Sequence, residues 1–131
     1  MKHIRHLAAL VLIMTAAGSL PASADEPLKR TDLVQSDIDI PGHEAAQVRV
    51  DFAPGVLAPK HTHPGEEIAY VLKGTIVYQL EGRDPVTLTE GQSLFIPSGV
   101  PHSARNIGKD TASELATYIV RKGETVFVPV K

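Results

Sequence analysis

Hydrophobic and polar residues alternate along much of the chain, which is the pattern of a β-strand with one buried face. In residues 47–52, for example, Val48, Val50 and Phe52 share one side and polar residues take the other. The pattern predicts further strands at residues 31–40, 68–73, 75–81, 86–89, 93–96, 102–107, 113–121 and 125–130. Glycine and proline separate these short segments, and no segment after residue 24 has helical periodicity. The sequence therefore predicts an all-β sandwich or barrel.

The first 24 residues have a different pattern, which is typical of a secretory signal peptide. A basic start containing Lys2 and Arg5 precedes an almost unbroken apolar run at residues 7–20. Ala22 and Ala24 then provide small residues at the spacing that a signal peptidase recognises. The apolar run is shorter than the roughly 20 residues of a membrane span, so an uncleaved anchor is the less favoured alternative. We expect residues 1–24 to be removed and the mature protein to be periplasmic or secreted.

The rest of the chain is long enough for one domain. Residues 25–40 are predicted to form an N-terminal arm, loose at residues 25–30 and then a possible edge strand. The Pro41-Gly42 turn separates this arm from the main domain, residues 41–131.

Composition narrows the set of partners. Removal of residues 1–24 takes away two of the 13 basic residues and none of the 15 acidic ones, which leaves 11 against 15 and a net charge of −4. This balance argues against nucleic acid or an anionic membrane as the partner. The chain has no tryptophan, which disfavours a base-stacking platform. It also has no cysteine, so the domain depends on good packing, a metal or a second subunit.

Three of the four histidines that follow residue 24 lie in two short stretches. His61 and His63 are two residues apart, so both rings point to the same side of an extended chain. Pro64-Gly65 is predicted to turn the chain so that Glu67 returns to the same centre, while His102 comes from a separate strand. Three imidazoles and one carboxylate suit Mn, Fe, Co, Ni, Cu or Zn better than Ca or Mg.

Each of these residues also has a simpler explanation. An isolated His-x-His is usually two unrelated surface or core histidines, and Glu67 beside Glu66 is compatible with a solvated acidic pair. His43 lies outside both stretches and is predicted to be a loop residue instead of a fifth ligand. Four protein ligands leave two open positions on a six-coordinate ion, whereas they close a tetrahedral zinc site and make it structural.

The spacing of these residues resembles the two sequence motifs of the cupin superfamily. The first motif has a glycine, five residues, His-x-His, three or four residues, a glutamate, six residues and a glycine. At these places the chain has Gly55, His61, His63, Glu67 and Gly74. The glycines are expected at turns that need a positive φ.

The second motif has a glycine, five residues, Pro-x-Gly, two residues, a histidine, three residues and an asparagine. At these places the chain has Gly91, Pro97, Gly99, His102 and Asn106. The gap between the motifs, residues 75–90, contains 16 residues and is near the short end for the family. The chain therefore resembles small single-domain, type-2 cupins and departs from the pattern at no ligand position.

The resemblance implies a double-stranded β-helix, or jelly roll, with a divalent metal held by His61, His63, Glu67 and His102. It implies Fe or Mn as the metal, with Ni, Cu, Co or Zn as alternatives, and dioxygenase-type oxidation of a small organic substrate. Glu67 is the one candidate for a catalytic role in addition to metal ligation. Because the fold hosts many functions, an isomerase or lyase and a non-catalytic periplasmic binder of a metal or small ligand stay open.

Small cupins commonly pair, so the resemblance also implies a homodimer. Residues 31–40 and 113–130 are the candidate interface strands, because exposed sheet edges invite pairing.

Several residues around the site also receive expected roles. Asn106 is predicted to hold a turn or support the ligands, not to bind the metal. Ala69 and Val71 share the parity of Glu67 and are predicted to line the pocket, while Tyr70 points to the other side. The remaining polar candidates for contacts near the metal are Arg49, Tyr78, Gln79 and Arg105.

Overall fold

The computed structural model describes residues 26–131, which form two five-stranded antiparallel sheets. The strands are β1 Leu28–Asp37, β2 His43–Phe52, β3 Leu57–Thr62, β4 Gly65–Lys73, β5 Thr75–Leu80, β6 Val86–Thr89, β7 Ser93–Ile96, β8 His102–Asn106, β9 Ala112–Arg121 and β10 Val128–Pro129. The first sheet has the order β1-β2-β9-β4-β7 and the second the order β10-β3-β8-β5-β6. The predicted all-β jelly roll is confirmed. The predicted signal peptide, residues 1–24, lies outside the described residues.

Between residues 26 and 131 there is no helix long and apolar enough to cross a membrane.

The core lies between the inward faces of the two sheets. Tyr78, Tyr118 and Phe52 are the largest side chains that are fully buried, and each such aromatic group contributes roughly 1.5–3 kcal/mol by leaving water. Strand register places the inward-facing residues in rows across the first sheet. One row joins Ala46 on β2, Tyr118 on β9 and Glu67 on β4. A carboxylate therefore enters the core beside a tyrosine.

The predicted turn before Glu67 is present as a bend at Pro64, but Gly65 itself does not belong to it. Gly65 is the first residue of β4 and pairs with Val120 on β9. A Cβ at this position would lie 1.9 Å from the backbone oxygen of Ile119, so the two strands can approach only because residue 65 has no side chain. The motif glycines behave as predicted; Gly74, for example, has a φ of 80° at the turn between β4 and β5.

The N-terminal arm is more regular than the sequence indicates. Residues 28–30, which are expected from sequence to be loose, already belong to β1, because β1 pairs with β2 from Leu28 opposite Phe52 to Asp37 opposite Glu44. A register shift between Asp32 and Val34 interrupts this ladder. β1 forms one edge of its sheet, as predicted for an edge strand.

The expectation that residues 113–130 supply an interface edge is wrong for β9. This strand lies between β2 and β4 and is hydrogen-bonded along both sides. Its backbone groups are therefore already paired and cannot accept a strand from a second copy. The last predicted strand is reduced to Val128–Pro129, which pairs with β3.

Candidate metal centre

The three clustered histidines come from neighbouring parts of one sheet. His61 lies on β3 and is the register partner of His102, the first residue of β8. His63 follows β3 directly. All three are buried, and one ring nitrogen from each lies within 4.8 Å of the others. Antiparallel pairing of β3 with β8 therefore produces the cluster.

Glu67 approaches this cluster from the opposite sheet. It is the third residue of β4 and is only 3% exposed. Its Oε2 atom lies 2.8 Å from His63 Nε2 and 3.4 Å from His102 Nε2. The structure thus brings together the four candidate metal ligands of the two motifs, His61, His63, Glu67 and His102. The site lies between the two sheets of the barrel and has ligands from both.

The backbone fixes the tautomer of all three rings, that is, which nitrogen carries the proton when a ring is neutral. The Nδ1 atoms of His61, His63 and His102 lie 2.6, 2.5 and 2.8 Å from the carbonyl oxygens of Pro59, Val126 and Val100. A carbonyl oxygen can only accept a hydrogen bond, so each Nδ1 carries the proton. In a neutral ring the Nε2 atom is then the one with a free lone pair. Backbone-bonded imidazoles of this kind are the usual arrangement in metal sites.

Two buried atoms at the centre have no hydrogen-bond partner within the described residues. His63 Nε2 and Glu67 Oε2 face each other, yet neither makes a hydrogen bond within residues 26–131. A lone pair that faces a carboxylate oxygen in a buried place costs free energy unless a cation lies between them. The donor set of three imidazole nitrogens and one carboxylate fits a divalent transition metal. These residues could therefore hold such an ion.

The ionisation of the site favours metal binding. Burial lowers the pKa of His61 to about 4. The neighbouring His102 and His63 also lower this pKa, whereas the hydrogen bond to the Pro59 carbonyl raises it. Burial raises the pKa of Glu67, whereas hydrogen bonds from His102 and His63, which these rings can donate only when Nε2 carries a proton, hold this pKa well below its usual range. At neutral pH the site therefore has a neutral His61 and an ionised Glu67, which are the forms that ligate metals.

A second carboxyl group, which the sequence analysis did not identify, lies behind Glu67. Glu114 on β9 is 4% exposed, and the Tyr78 hydroxyl donates a 2.7 Å hydrogen bond to its Oε2 atom. Burial first, and then the negative charge of Glu67, raise the pKa of Glu114 well above its usual range. Its position could have been found from parity, because Glu114 alternates in step with Ala116 and Tyr118 on the inward face of β9.

Three further side chains that the sequence analysis did not identify surround the histidines. The Tyr118 ring lies 4.7 Å from that of His63, and the Phe127 ring stacks on His61 at 4.2 Å between centroids. Arg30, from the arm that the sequence predicts to be loose, donates a 3.3 Å hydrogen bond from Nη2 to the Tyr118 hydroxyl. Parity along β9 indicates Tyr118, but no local pattern indicates Arg30 or Phe127.

Of the four polar candidates, only Tyr78 is inside the barrel. Arg49 pairs with Asp51 on the outer face of β2, Arg105 donates to the Gly55 carbonyl at the surface, and the Gln79 amide bonds the Leu80 and Arg83 carbonyls. These three residues therefore hold local structure and do not contact the centre.

His43 is not a loop residue, because it begins β2. Its Nδ1 atom bonds the Pro41 carbonyl, and it is not a member of the three-histidine cluster found within the described residues.

The predicted orientations of the β4 residues and the turn-holding role of Asn106 are confirmed, whereas the prediction that Ala69 and Val71 line the pocket stays a prediction. Ala69 and Val71 are completely buried beside Glu67, while Tyr70 is 39% exposed on the other side of β4. Asn106 is buried and holds turns together. Its amide nitrogen bonds the carbonyls of Phe52, Ala53 and Asp110, and its amide oxygen accepts from the Gly108 nitrogen.

Comparison with known proteins agrees with the fold. Residues 48–118, more than half of the chain, match the cupin domain family. The chain therefore belongs to the cupins, a class whose double-sheet barrel the structure also has.

Three relatives show the range of proteins to which the chain is similar. Oxalate oxidase 2 of Hordeum vulgare is 34% identical over 90 residues, which are 63% of this chain and 40% of that protein. Dimethylsulfoniopropionate lyase DddQ of Ruegeria pomeroyi is 43% identical over 51 residues, which are 39% of this chain and 25% of that protein. A solved recombinant oxalate oxidase in complex with glycolate has a TM-score of 0.59 at 28% identity, over 73% of this chain and 52% of that one. The chain spans less than half the length of these two curated relatives.

Proposed function

We propose that the protein is a metal-dependent cupin enzyme that oxidises a small organic substrate, with His61, His63, Glu67 and His102 as ligands of Mn or Fe. The observation that carries this proposal is the pair of unpartnered buried atoms, His63 Nε2 and Glu67 Oε2, at 2.8 Å. A bound Mn or Fe ion supplies a Lewis-acidic and redox-capable centre. The similarity to oxalate oxidases supports an oxidation of dioxygenase or oxidase type.

The chain's own residues prepare this centre in two ways. The carbonyls of Pro59, Val100 and Val126 orient the three rings so that their Nε2 atoms converge. Burial removes competing water, and the aromatic rings of Phe127 and Tyr118 cover two of the imidazoles. Tyr118 keeps its proton at neutral pH, because burial and the charge of Glu67 raise its pKa. Its hydroxyl is therefore a donor for an oxygen atom of a ligand at the centre.

A lyase or isomerase reaction at the same ligands is the second candidate. It is supported by the 43% identity to the dimethylsulfoniopropionate lyase over 51 residues. In this case Tyr118 would hold or move a proton beside the metal.

Metal analysis tests the proposal first. Mature protein is purified without a histidine tag from its export compartment, together with the His61→Ala and His102→Ala variants. About one Mn or Fe per chain, lost in both variants, is expected. Oxygen uptake with a small monocarboxylic acid such as glycolate, the ligand of the solved oxalate oxidase, then supports oxidation, whereas cleavage of dimethylsulfoniopropionate without oxygen uptake supports the lyase. A metal-loaded protein with no turnover of any organic acid would indicate a non-catalytic binder, and the absence of metal from wild-type protein would overturn the proposal.

Export to the periplasm or the medium belongs to the same proposal, on the evidence of the basic, apolar and small-residue pattern in residues 1–24. An N-terminus at Asp25 in the exported protein is the expected result of mass spectrometry. Intact Met1 in the cytoplasmic fraction would contradict it.

A homodimer is also part of the proposal. Ile68 on β4 and Phe95 on β7 are cross-strand partners on the outer face of the first sheet, and they are 47% and 55% exposed. Tyr70 and Leu72 extend this apolar face along β4. Large exposed apolar patches of this kind are typical of protein interfaces.

A further inference from the structure

A cavity of about 430 Å³ lies beside the metal centre, between the inner sides of β1 and β2 and residues 124–127. Its wall reaches the histidines at two points. Phe127 lines the cavity and stacks on His61, and Val126 lines it while its carbonyl holds His63 Nδ1. A small molecule in this cavity would therefore be separated from the histidine cluster by the Phe127 side chain.

Arg30 places a positive charge on the cavity wall. It is the register partner of the inward-facing Val50, so its side chain is on the inner side of β1. Its Nη2 atom is 3.3 Å from the Tyr118 hydroxyl, and its Cζ atom is 5.9 Å from the centroid of Phe127. None of the ion pairs between residues 26 and 131 includes Arg30. Most of the five donors of this guanidinium are thus available to a ligand.

Tyr118 links Arg30 to the centre. Its ring lies 4.7 Å from that of His63, and its hydroxyl oxygen accepts the hydrogen bond from Arg30. The hydroxyl proton itself has no acceptor within the part of the chain that the structure describes. Tyr118 is only 2% exposed and does not itself line the cavity, so its hydroxyl can meet a ligand only where that ligand also contacts Arg30. At that place a charged donor and a neutral donor lie side by side, which suits the two oxygens of a carboxylate.

We propose that Arg30 and Tyr118 bind the carboxylate of a small monocarboxylic acid, so that Arg30, supplied by the N-terminal strand β1, determines substrate specificity. The inference rests on the proposed function, because it places this carboxylate beside the metal that His61, His63, Glu67 and His102 would hold.

The other charges of the cavity limit the substrate to one carboxylate. Asp32, Glu44 and Glu124 line the same cavity, and Arg30 is the one basic side chain in the described lining. Arg30, Asp32 and Glu124 are exposed and Glu44 is half-buried, so salt screens the repulsion between these acidic groups and a bound anion. The direct charge-assisted hydrogen bond to Arg30 is what a single carboxylate gains there. A second carboxylate extending along the cavity would meet like charges. The rest of the substrate is therefore neutral or cationic.

The test uses full-length mature protein loaded with Mn and measures binding of propionate by calorimetry. The variants are Arg30→Met, Arg30→Lys and Tyr118→Phe. The matched control is Lys29→Met. Lys29 is the neighbouring cation on β1, and as the register partner of Asp51 on β2 its side chain lies on the outward side of the sheet. Propanamide serves as the neutral analogue of propionate, and succinate carries the second carboxylate. Mn content and thermal unfolding are measured for every protein.

The expected result is that Arg30→Met weakens propionate binding about tenfold or more, the size of one lost charge-assisted hydrogen bond, without changing Mn content. Tyr118→Phe should weaken it by a smaller factor, because the lost donor is neutral. Arg30→Lys should recover part of the loss, Lys29→Met should bind as wild type does, and propanamide binding should not depend on residue 30.

Equal propionate affinity in wild type and Arg30→Met, or no binding by loaded wild type, would overturn the inference alone. Succinate binding as tight as propionate would overturn the restriction to one carboxylate. Wild-type protein that takes up no Mn would overturn the proposed function and this inference with it.

Discussion

His61 and His102 are register partners in the β3–β8 ladder, and the centroids of their rings lie 4.3 Å apart. The hydrogen bonds that pair the two strands therefore also set the separation of two candidate metal ligands. Pro59 and Val100, each two residues before one of these histidines, provide the carbonyls that orient the rings. Metal affinity in this protein should consequently depend on the sheet as much as on the ligands.

The first prediction concerns the ligands themselves. Replacing His61 or His102 by alanine should lower the affinity for Mn by about 100-fold or more, because loss of a ligand costs at least as much as loss of its supporting hydrogen bond. The measurement is a competitive titration with a chelator of known affinity. His43→Ala is the matched control and should leave the affinity unchanged, since His43 is outside the cluster. Equal affinities in all four proteins would refute the assignment.

The second prediction concerns the buried Glu114. Burial raises its pKa above the ordinary value of 4.5, so the folded chain keeps a proton that the unfolded chain releases above that pH. This contribution to stability is complete below about pH 4.5 and is lost as the pH rises toward the folded pKa. Metal-free wild type should therefore lose stability relative to Glu114→Gln between about pH 5 and about pH 7, as measured by urea unfolding.

His61 supplies a pH dependence of opposite sign in the same experiment. Its pKa is lowered to about 4, so its contribution is present above the ordinary value of 6.5 and is lost as the pH falls through this range. The effect is common to wild type and Glu114→Gln, and it cancels in the difference between them. A difference in unfolding free energy that stays constant across the pH range would show that Glu114 does not keep its proton.

The third prediction concerns the close approach of β4 to β9. Gly65→Ala should destabilise the protein by about 3 kcal/mol or more, because the new Cβ would collide with the backbone of Ile119 and separate the strands. Gly82→Ala is the control: Gly82 has a φ of 74° but no atom within 4 Å of an added Cβ, so its cost should be only about 1–2 kcal/mol. Equal losses in denaturant unfolding would mean that the contact is unimportant.

The fourth prediction concerns the apolar outer face formed by Ile68, Tyr70, Leu72 and Phe95. Phe95→Lys should convert the proposed dimer to a monomer in light scattering, because a desolvated lysine at the centre of an interface is costly. Val34→Lys is the control on β1, the strand that the sequence favours as an interface edge, and Val34 is similarly exposed. Dissociation by Val34→Lys alone would place the interface on β1, and a monomeric wild type would exclude both surfaces.

The sequence by itself determined the barrel and the four residues that converge in it. Alternation along segments such as residues 47–52 indicates a buried side, because a strand has a period of two. The spacing of His61, His63, Glu67 and His102 resembles one family closely enough to indicate a jelly roll, and residues 48–118 match that family. The placement of the motif glycines at turns could also be predicted from the sequence, since a positive φ strongly favours glycine.

Only the tertiary structure showed what surrounds these four residues. Arg30 reaches Tyr118 across 88 positions of sequence, and Glu114 meets the Tyr78 hydroxyl across 36. Such neighbours depend on which strands pair and in what register, and a local pattern carries no information about either. The same reason explains why the sequence wrongly favours an edge at β9: alternation describes one strand, whereas its place between β2 and β4 is a property of the whole sheet.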